Sequence, residues 1–145
     1  PEETQDDMYI LMLSSKKIIF SHDTALFLNG LSDRTPFTHS VTIPSNACLQ
    51  KAIIGECNCY YVKPELHQLG AIDMKTTFGN VVRCYDAERT VCDLLRSRTR
   101  IDEETVIAAI KNYAESRNKD LNKLSEYAKQ FKVEKTLKRY LEVLL

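Results

Sequence analysis

The sequence predicts an α+β domain: a small, mainly antiparallel sheet packed with helices, followed by a helical C-terminal half. Three observations carry that expectation. Val81–Tyr85 is a β-branched and aromatic run that leads directly into an amphipathic stretch opened by Asp86. Ala71–Phe78 and Val81–Tyr85 flank Gly79-Asn80, a two-residue loop suited to a primed hairpin turn. Beyond Asp86, apolar residues recur at helical spacing. With 145 residues, one domain is expected over 1–145, large enough to bury about two thirds of its unfolded surface.

The elements follow in order. Thr4 and Asp7 have capping-box spacing and would open a helix through Met8, Leu11 and Met12. Ile18–Phe20 reads as a short extended piece. Ser21 then caps a second helix, with Asp23 in its first turn and Asn29-Gly30 as its stop. Leu31–Phe37 is a polar loop closed by Pro36. His39–Ile43 alternates as a strand and ends at Pro44. Ser45 or Asn46 opens a short helix reaching Ile54, stopped by Gly55, and Cys59–Lys63 is a further strand. The two-residue hairpin loop would pair Phe78 with Val81 and Met74 with Tyr85, leaving Asp73, Lys75 and Thr77 on a solvated or functional face.

Asp86 is a good N-cap, because its carboxylate can accept from free first-turn amides, and Glu88 suits the positive end of the helix dipole. Val91, Leu94 and Leu95 form the stripe of this helix, with Glu88, Arg89, Asp93 and Arg96 mostly off it. Asp102 opens the next helix, holding Val106, Ile107, Ile110 and Tyr113. Another carries Leu121, Leu124, Ala128 and Phe131. The last carries Val133, Leu137, Tyr140, Leu141 and Leu144.

The formal net charge of zero exerts no global pull toward nucleic acid or membrane. It hides an asymmetry: residues 1–33 carry six acids and two bases, and residues 117–145 carry eight bases and four acids. No apolar run has the length of a membrane span, so no membrane association is expected. The acidic start argues against a secretion signal, and a first residue of Pro leads us to expect further chain upstream. The five scattered cysteines read as reduced cytoplasmic thiols, since Cys57 and Cys59 match no zinc spacing.

Candidate chemistry is sparse. There is no glycine-rich phosphate loop, no nucleophile elbow and no His-Glu-x-x-His helix. Ser21, His22 and Asp23 suit either acid–base work or a plain helix N-terminus, which needs a cap and a first-turn acid. His39 and His67 stand alone. Asp86, Glu88 and Asp93 offer hard oxygen ligands for a metal-dependent nuclease, although capping accounts for the first two and an Arg89–Asp93 pair for the third. Lys132, Lys135, Lys138 and Arg139 lie opposite the last apolar stripe and suit phosphate contacts, a DNA-contact or dimer-positioning face. No cofactor, resident metal or catalytic residue is expected, and a non-enzymatic role follows.

Three separated strings carry a resemblance: Phe20–Pro36 (FSHDTALFLNGLSDRTP), Val41–Pro44 (VTIP) and Val81–Arg96 (VVRCYDAERTVCDLLR). Together with the ending Tyr127–Leu144, they resemble the AbiEi-type antitoxins of abortive-infection systems. Ser21-His22 and Asp33–Pro36 match one motif of that family, and Glu88-Arg89-Thr90 with Asp93 another. The resemblance implies the C-terminal antitoxin domain of a type IV toxin–antitoxin operon, normally preceded by a winged helix that represses the operon. It implies action against a co-encoded nucleotidyltransferase toxin without a stable complex, and operator DNA as a partner of the whole protein. Two roles stay open for Arg34 and Arg89: tying loop carbonyls and carboxylates together, or forming an exposed recognition surface.

Overall fold

The computed structural model describes residues 6–144 and confirms the α+β class. Five strands, β1 (Ile19–Phe20), β2 (Ser40–Pro44), β3 (Asn58–Val62), β4 (Ala71–Lys75) and β5 (Val81–Tyr85), form one sheet in the order β3-β2-β1-β5-β4. The helices are α1 (Asp7–Leu13), α2 (His22–Leu28), α3 (Lys51–Ile54), α4 (Ala87–Arg96), α5 (Glu103–Ala114), α6 (Leu121–Gln130) and α7 (Glu134–Leu144).

The sheet is mixed rather than purely antiparallel. β1–β2 and β4–β5 pair antiparallel, whereas β2–β3 and β1–β5 pair parallel. A parallel pair needs a crossover long enough to return the chain to the same end. The segment containing α3 supplies that return between β2 and β3. β1 is two residues long yet central, with Ile19 and Phe20 fully buried.

Alternation along the strands sends side chains to two cores. Phe20, Val41, Ile43, Val82 and Cys84 pack with Met8 and Leu11 of α1. Val62 joins Val91, Leu94 and Leu95 of α4, and with them residues of α5, α6 and α7 such as Ile110, Tyr113, Leu124 and Leu137. α4 therefore joins the sheet to the helical half. Its burial runs from Glu88 through Leu95 without a break, wider than the apolar stripe alone predicts.

Several local readings change. Thr4 lies outside the described residues, and the cap of α1 is Asp6, whose carboxylate accepts from the Tyr9 amide. α3 starts later than expected, with Gln50 rather than Ser45 or Asn46 before it. Ser21 precedes α2, but its hydroxyl makes no capping bond. The hairpin register is shifted: Met74 lies opposite Val82, Lys75 opposite Val81 and Ala71 opposite Tyr85. The turn consequently runs over residues 76–80, leaving Phe78 exposed. Its cause is distant in sequence. The Asp6 carboxylate accepts from Thr76 Oγ1 at 2.5 Å and from Asn80 Nδ2 at 2.9 Å, so both ends of the turn are held to α1.

Gly70 has a different constraint. Its φ is +81°, and a Cβ there would sit 2.8 Å from the Cβ of Arg89 and 3.2 Å from the Asp86 carboxylate. Its carbonyl also accepts from the Asp86 amide at 2.8 Å, locking the loop onto the start of α4. We expect Gly70→Ala to destabilise the domain by roughly 2–4 kcal/mol, adding left-handed strain to a clash with the buried side chains of Arg89 and Asp86. Gly79→Ala, in open space at φ +88°, should cost only about 1 kcal/mol. Urea unfolding of the two variants checks the contrast.

Candidate functional site

Arg89 occupies the second core. Placed one turn into α4 by the Asp86 cap, which accepts from its amide at 2.8 Å, its side chain is fully buried. Its Nε donates to both oxygens of Asp93 at 3.1 Å, and Nη1 donates to the carbonyls of Leu66 and Leu69 at 2.8 and 2.6 Å. The Tyr85 ring lies 3.8 Å from the guanidinium carbon and the Phe131 ring 4.4 Å. One planar cation thereby joins α4, the β3–β4 connection, β5 and the end of α6. The tying role read for Arg89 is the one this geometry supports. Asp93 also accepts from Arg96 Nη2 at 3.2 Å.

The other acids of α4 face a second cluster. Glu88 accepts from the Tyr113 hydroxyl at 2.6 Å and the Asp120 amide at 3.0 Å. Tyr127 donates to Asp86 at 3.2 Å, and Lys123 Nζ lies 3.6 Å from Asp86 and 4.0 Å from Glu88. Burial raises the Asp86 carboxyl above its ordinary range. Burial, with the Asp86 charge beside it, pushes the Tyr127 hydroxyl up to about 12. Asp93 is committed to arginines, so Asp86, Glu88 and Asp93 do not share one ligand position as the nuclease reading requires. Among the described residues, no three His, Cys, Asp or Glu side chains are gathered to hold a metal.

A cleft of about 670 Å³ opens between the loop after α2, β3 and the start of α5. His22, Arg34, Asn58, Tyr60, Arg100 and Glu104 are among the residues that line it. Arg34 is exposed on its rim. Its backbone amide donates to Ser32 Oγ at 3.2 Å, while its guanidinium bonds no other described residue. The tying role does not extend to Arg34, which takes the exposed alternative.

His22 forms the buried wall. It holds a left-handed backbone at φ +54°, uncommon outside glycine. Its ring stacks on Tyr60 with centroids 3.6 Å apart, and Arg100 lies 3.9 Å from the same centroid. Two groups so close to one ring must occupy opposite faces. His22 Nδ1 meets Ser21 Oγ at 2.8 Å, and Nε2 meets Ser97 Oγ at 3.1 Å. Ser21 Oγ accepts from Thr42 Oγ1 at 2.7 Å, leaving its own proton for Nδ1 and placing the ring proton on Nε2. The helix-cap reading of Ser21 is thus replaced by a hydroxyl–imidazole chain. Burial is the main cause that lowers the His22 pKa to about 4.

His67, buried as well, faces the Thr42 carbonyl at 3.2 Å, and burial lowers its pKa too. Lys132, Lys135, Lys138 and Arg139 are exposed, Lys132 in the α6–α7 junction rather than on a helix. Tyr60, Ser97 and Arg100 were missed by sequence reasoning. Alternation along β3, which sets buried Tyr60 opposite exposed Tyr61, is the signal that could have found Tyr60. Compared with protein-family models and with curated proteins, the chain finds no match.

Two outcomes follow. Asp93→Asn removes the charge opposing a buried guanidinium and should cost about 3–5 kcal/mol, whereas the paired exchange of Arg89→Met with Asp93→Leu should cost less than the two single changes together. Denaturant titrations of all four proteins decide it. For His22, the unfolded chain binds a proton near pH 6.5 and the folded chain only near pH 4. Stability present above pH 6.5 therefore falls as pH drops toward 4, by up to roughly 3 kcal/mol from this group. In His22→Asn, which tolerates the left-handed backbone, that part of the slope should vanish.

Proposed function

We propose that the chain is a non-enzymatic antitoxin domain of the AbiEi type. It counteracts a co-encoded nucleotidyltransferase toxin in a bacterial phage-defence operon, acting in the cytoplasm and without a stable toxin complex. A winged helix elsewhere in the parent protein then represses the operon.

One observation carries the reading. The three strings that resemble the family are far apart in sequence and adjacent in space. Phe20 of the first pairs with Val41 of the second and with Cys84 of the third, and α2 packs on α4. The same arrangement puts His22 and Arg34 of the first motif on one cleft. Arg89, in the third string, is buried in the second core, which also includes Leu26 and Leu94 of the cleft wall. A motif set split between a buried framework and an accessible rim suits a binding module better than a reaction centre.

Induction of the cognate toxin in growing bacteria, with and without residues 1–145, tests it. Growth should be restored by the chain, and Arg34→Ala should weaken that rescue at least several-fold without lowering the unfolding midpoint. Folded, soluble chain that restores no growth would overturn the proposal.

The exposed cations favour a second reading, a DNA-contact or dimer-positioning face. Lys135, Lys138 and Arg139 sit three and four residues apart on α7, so they share one side of it. Reversing these charges together with Lys132 should weaken operator binding by the parent protein and flatten its salt dependence by up to about four phosphate contacts. Unchanged binding would remove this reading.

A further inference from the structure

We propose that Cys57 and Cys59 are a reversible disulfide site for hydroperoxides, whose closure is transmitted through β3 to the cleft. This goes beyond the antitoxin reading and does not depend on it.

The two sulfurs lie 3.5 Å apart as free thiols, on either side of Asn58 at the start of β3. A disulfide requires an approach of roughly 1.5 Å, to about 2.05 Å. Cys57 sits in the bend before the strand rather than within it, where the backbone is free of the β2 ladder at that residue. Cys84 and Cys92 are fully buried, and Cys48 is exposed on the preceding loop. Cys57 and Cys59 are thus the pair in contact.

Their environments divide the roles. Cys59 is partly exposed and meets the oxidant first. Its thiolate attacks the peroxide oxygen, the O–O bond breaks, and an alkoxide or hydroxide leaves and takes up a proton. Cys57 is buried, with its Sγ 3.2 Å from the Ile53 carbonyl, and burial pushes its thiol up to about 12, so it keeps its proton until the second step. There its sulfur attacks the Cys59 sulfenic acid, and the displaced hydroxide leaves with that proton as water. Two electrons pass from the two thiols to the O–O bond, giving one disulfide, one alcohol or water, and one water. A dithiol reductant restores the pair by exchange.

The link to the cleft is direct. Asn58, the residue closed inside the ring, lines it. The Cys59 carbonyl accepts from both terminal nitrogens of Arg100 at 3.4 Å. Arg100 in turn covers Tyr60, which stacks on His22. A shift of the Cys59 backbone therefore moves the arginine that closes one side of the aromatic stack.

The 145-residue chain treated with hydrogen peroxide should lose about 2 Da, mapped to Cys57 and Cys59 and reversed by dithiothreitol. NMR signals of the His22 ring and the Arg100 guanidinium should shift on oxidation and return on reduction. Cys48→Ser should behave like the parent chain. Cys57→Ser should instead accumulate sulfinic acid on Cys59, a result that keeps the assignment testable if one variant folds poorly. Oxygen addition to Cys59 in the parent chain without a disulfide, or a bond involving Cys48, would overturn the site. A Cys57–Cys59 bond that leaves His22 and Arg100 unmoved would overturn its coupling to the cleft.

Discussion

The rest of the structure depends on one buried guanidinium. Arg89 cannot lose its proton in a protein, so its burial must be compensated by partners rather than by neutralisation. Asp93 supplies the opposing charge from the same helix, one turn on. The carbonyls of Leu66 and Leu69 occupy a terminal nitrogen, and two aromatic rings cover the plane. Nη2 alone of its nitrogens has no partner among the described residues. These partners come from α4 itself, the β3–β4 connection, β5 and the end of α6, so the full set of contacts forms only when all four have arrived. The requirement favours one arrangement of α4 against the sheet over any slid or rotated alternative.

The same helix shows how a polar sequence becomes a core element. Glu88, Thr90 and Asp93 are buried alongside Arg89, and each finds a specific partner: the Tyr113 hydroxyl, the Asp86 carbonyl, and two arginines. Glu88 also accepts from the amide that begins the α6 cap at Asp120, linking α4 to the third helix of the C-terminal half. Such contacts add little energy over an apolar packing of equal volume, but they penalise wrong packings heavily by stranding charge. The close approach of Gly70 belongs to this logic, since any side chain there would push the β3–β4 connection off Arg89.

The cleft has a different character. Its inner wall is tightly determined: His22 is held by stacking, by hydroxyls at both ring nitrogens and by an unusual backbone. Its rim, with Arg34 and the acids at the start of α5, is open. A rigid floor under a polar, accessible mouth is the arrangement in which small movements of β3 or Arg100 are felt by whatever the mouth contacts.

Local chemistry in the sequence determined the α+β class, the start of α4 at Asp86, the stops at Asn29-Gly30 and Gly55, and the apolar stripes of α5, α6 and α7. Those signals act within a turn or two, so no distant partner is needed to read them. The Arg89–Asp93 pair was legible for the same reason, at its helical spacing. Its burial was not, because a stripe defined by hydrophobicity cannot register a charge whose cost is met by carbonyls twenty or more residues away. The hairpin register was decided by Asp6 reaching Thr76 and Asn80, against a Gly-Asn turn that favoured another pairing. The parallel pairings and the joining of His22, Tyr60 and Arg100 at one cleft likewise came from tertiary structure. In each case the deciding partner is remote in sequence, and only the folded chain brings its hydrogen bond or ring face within reach.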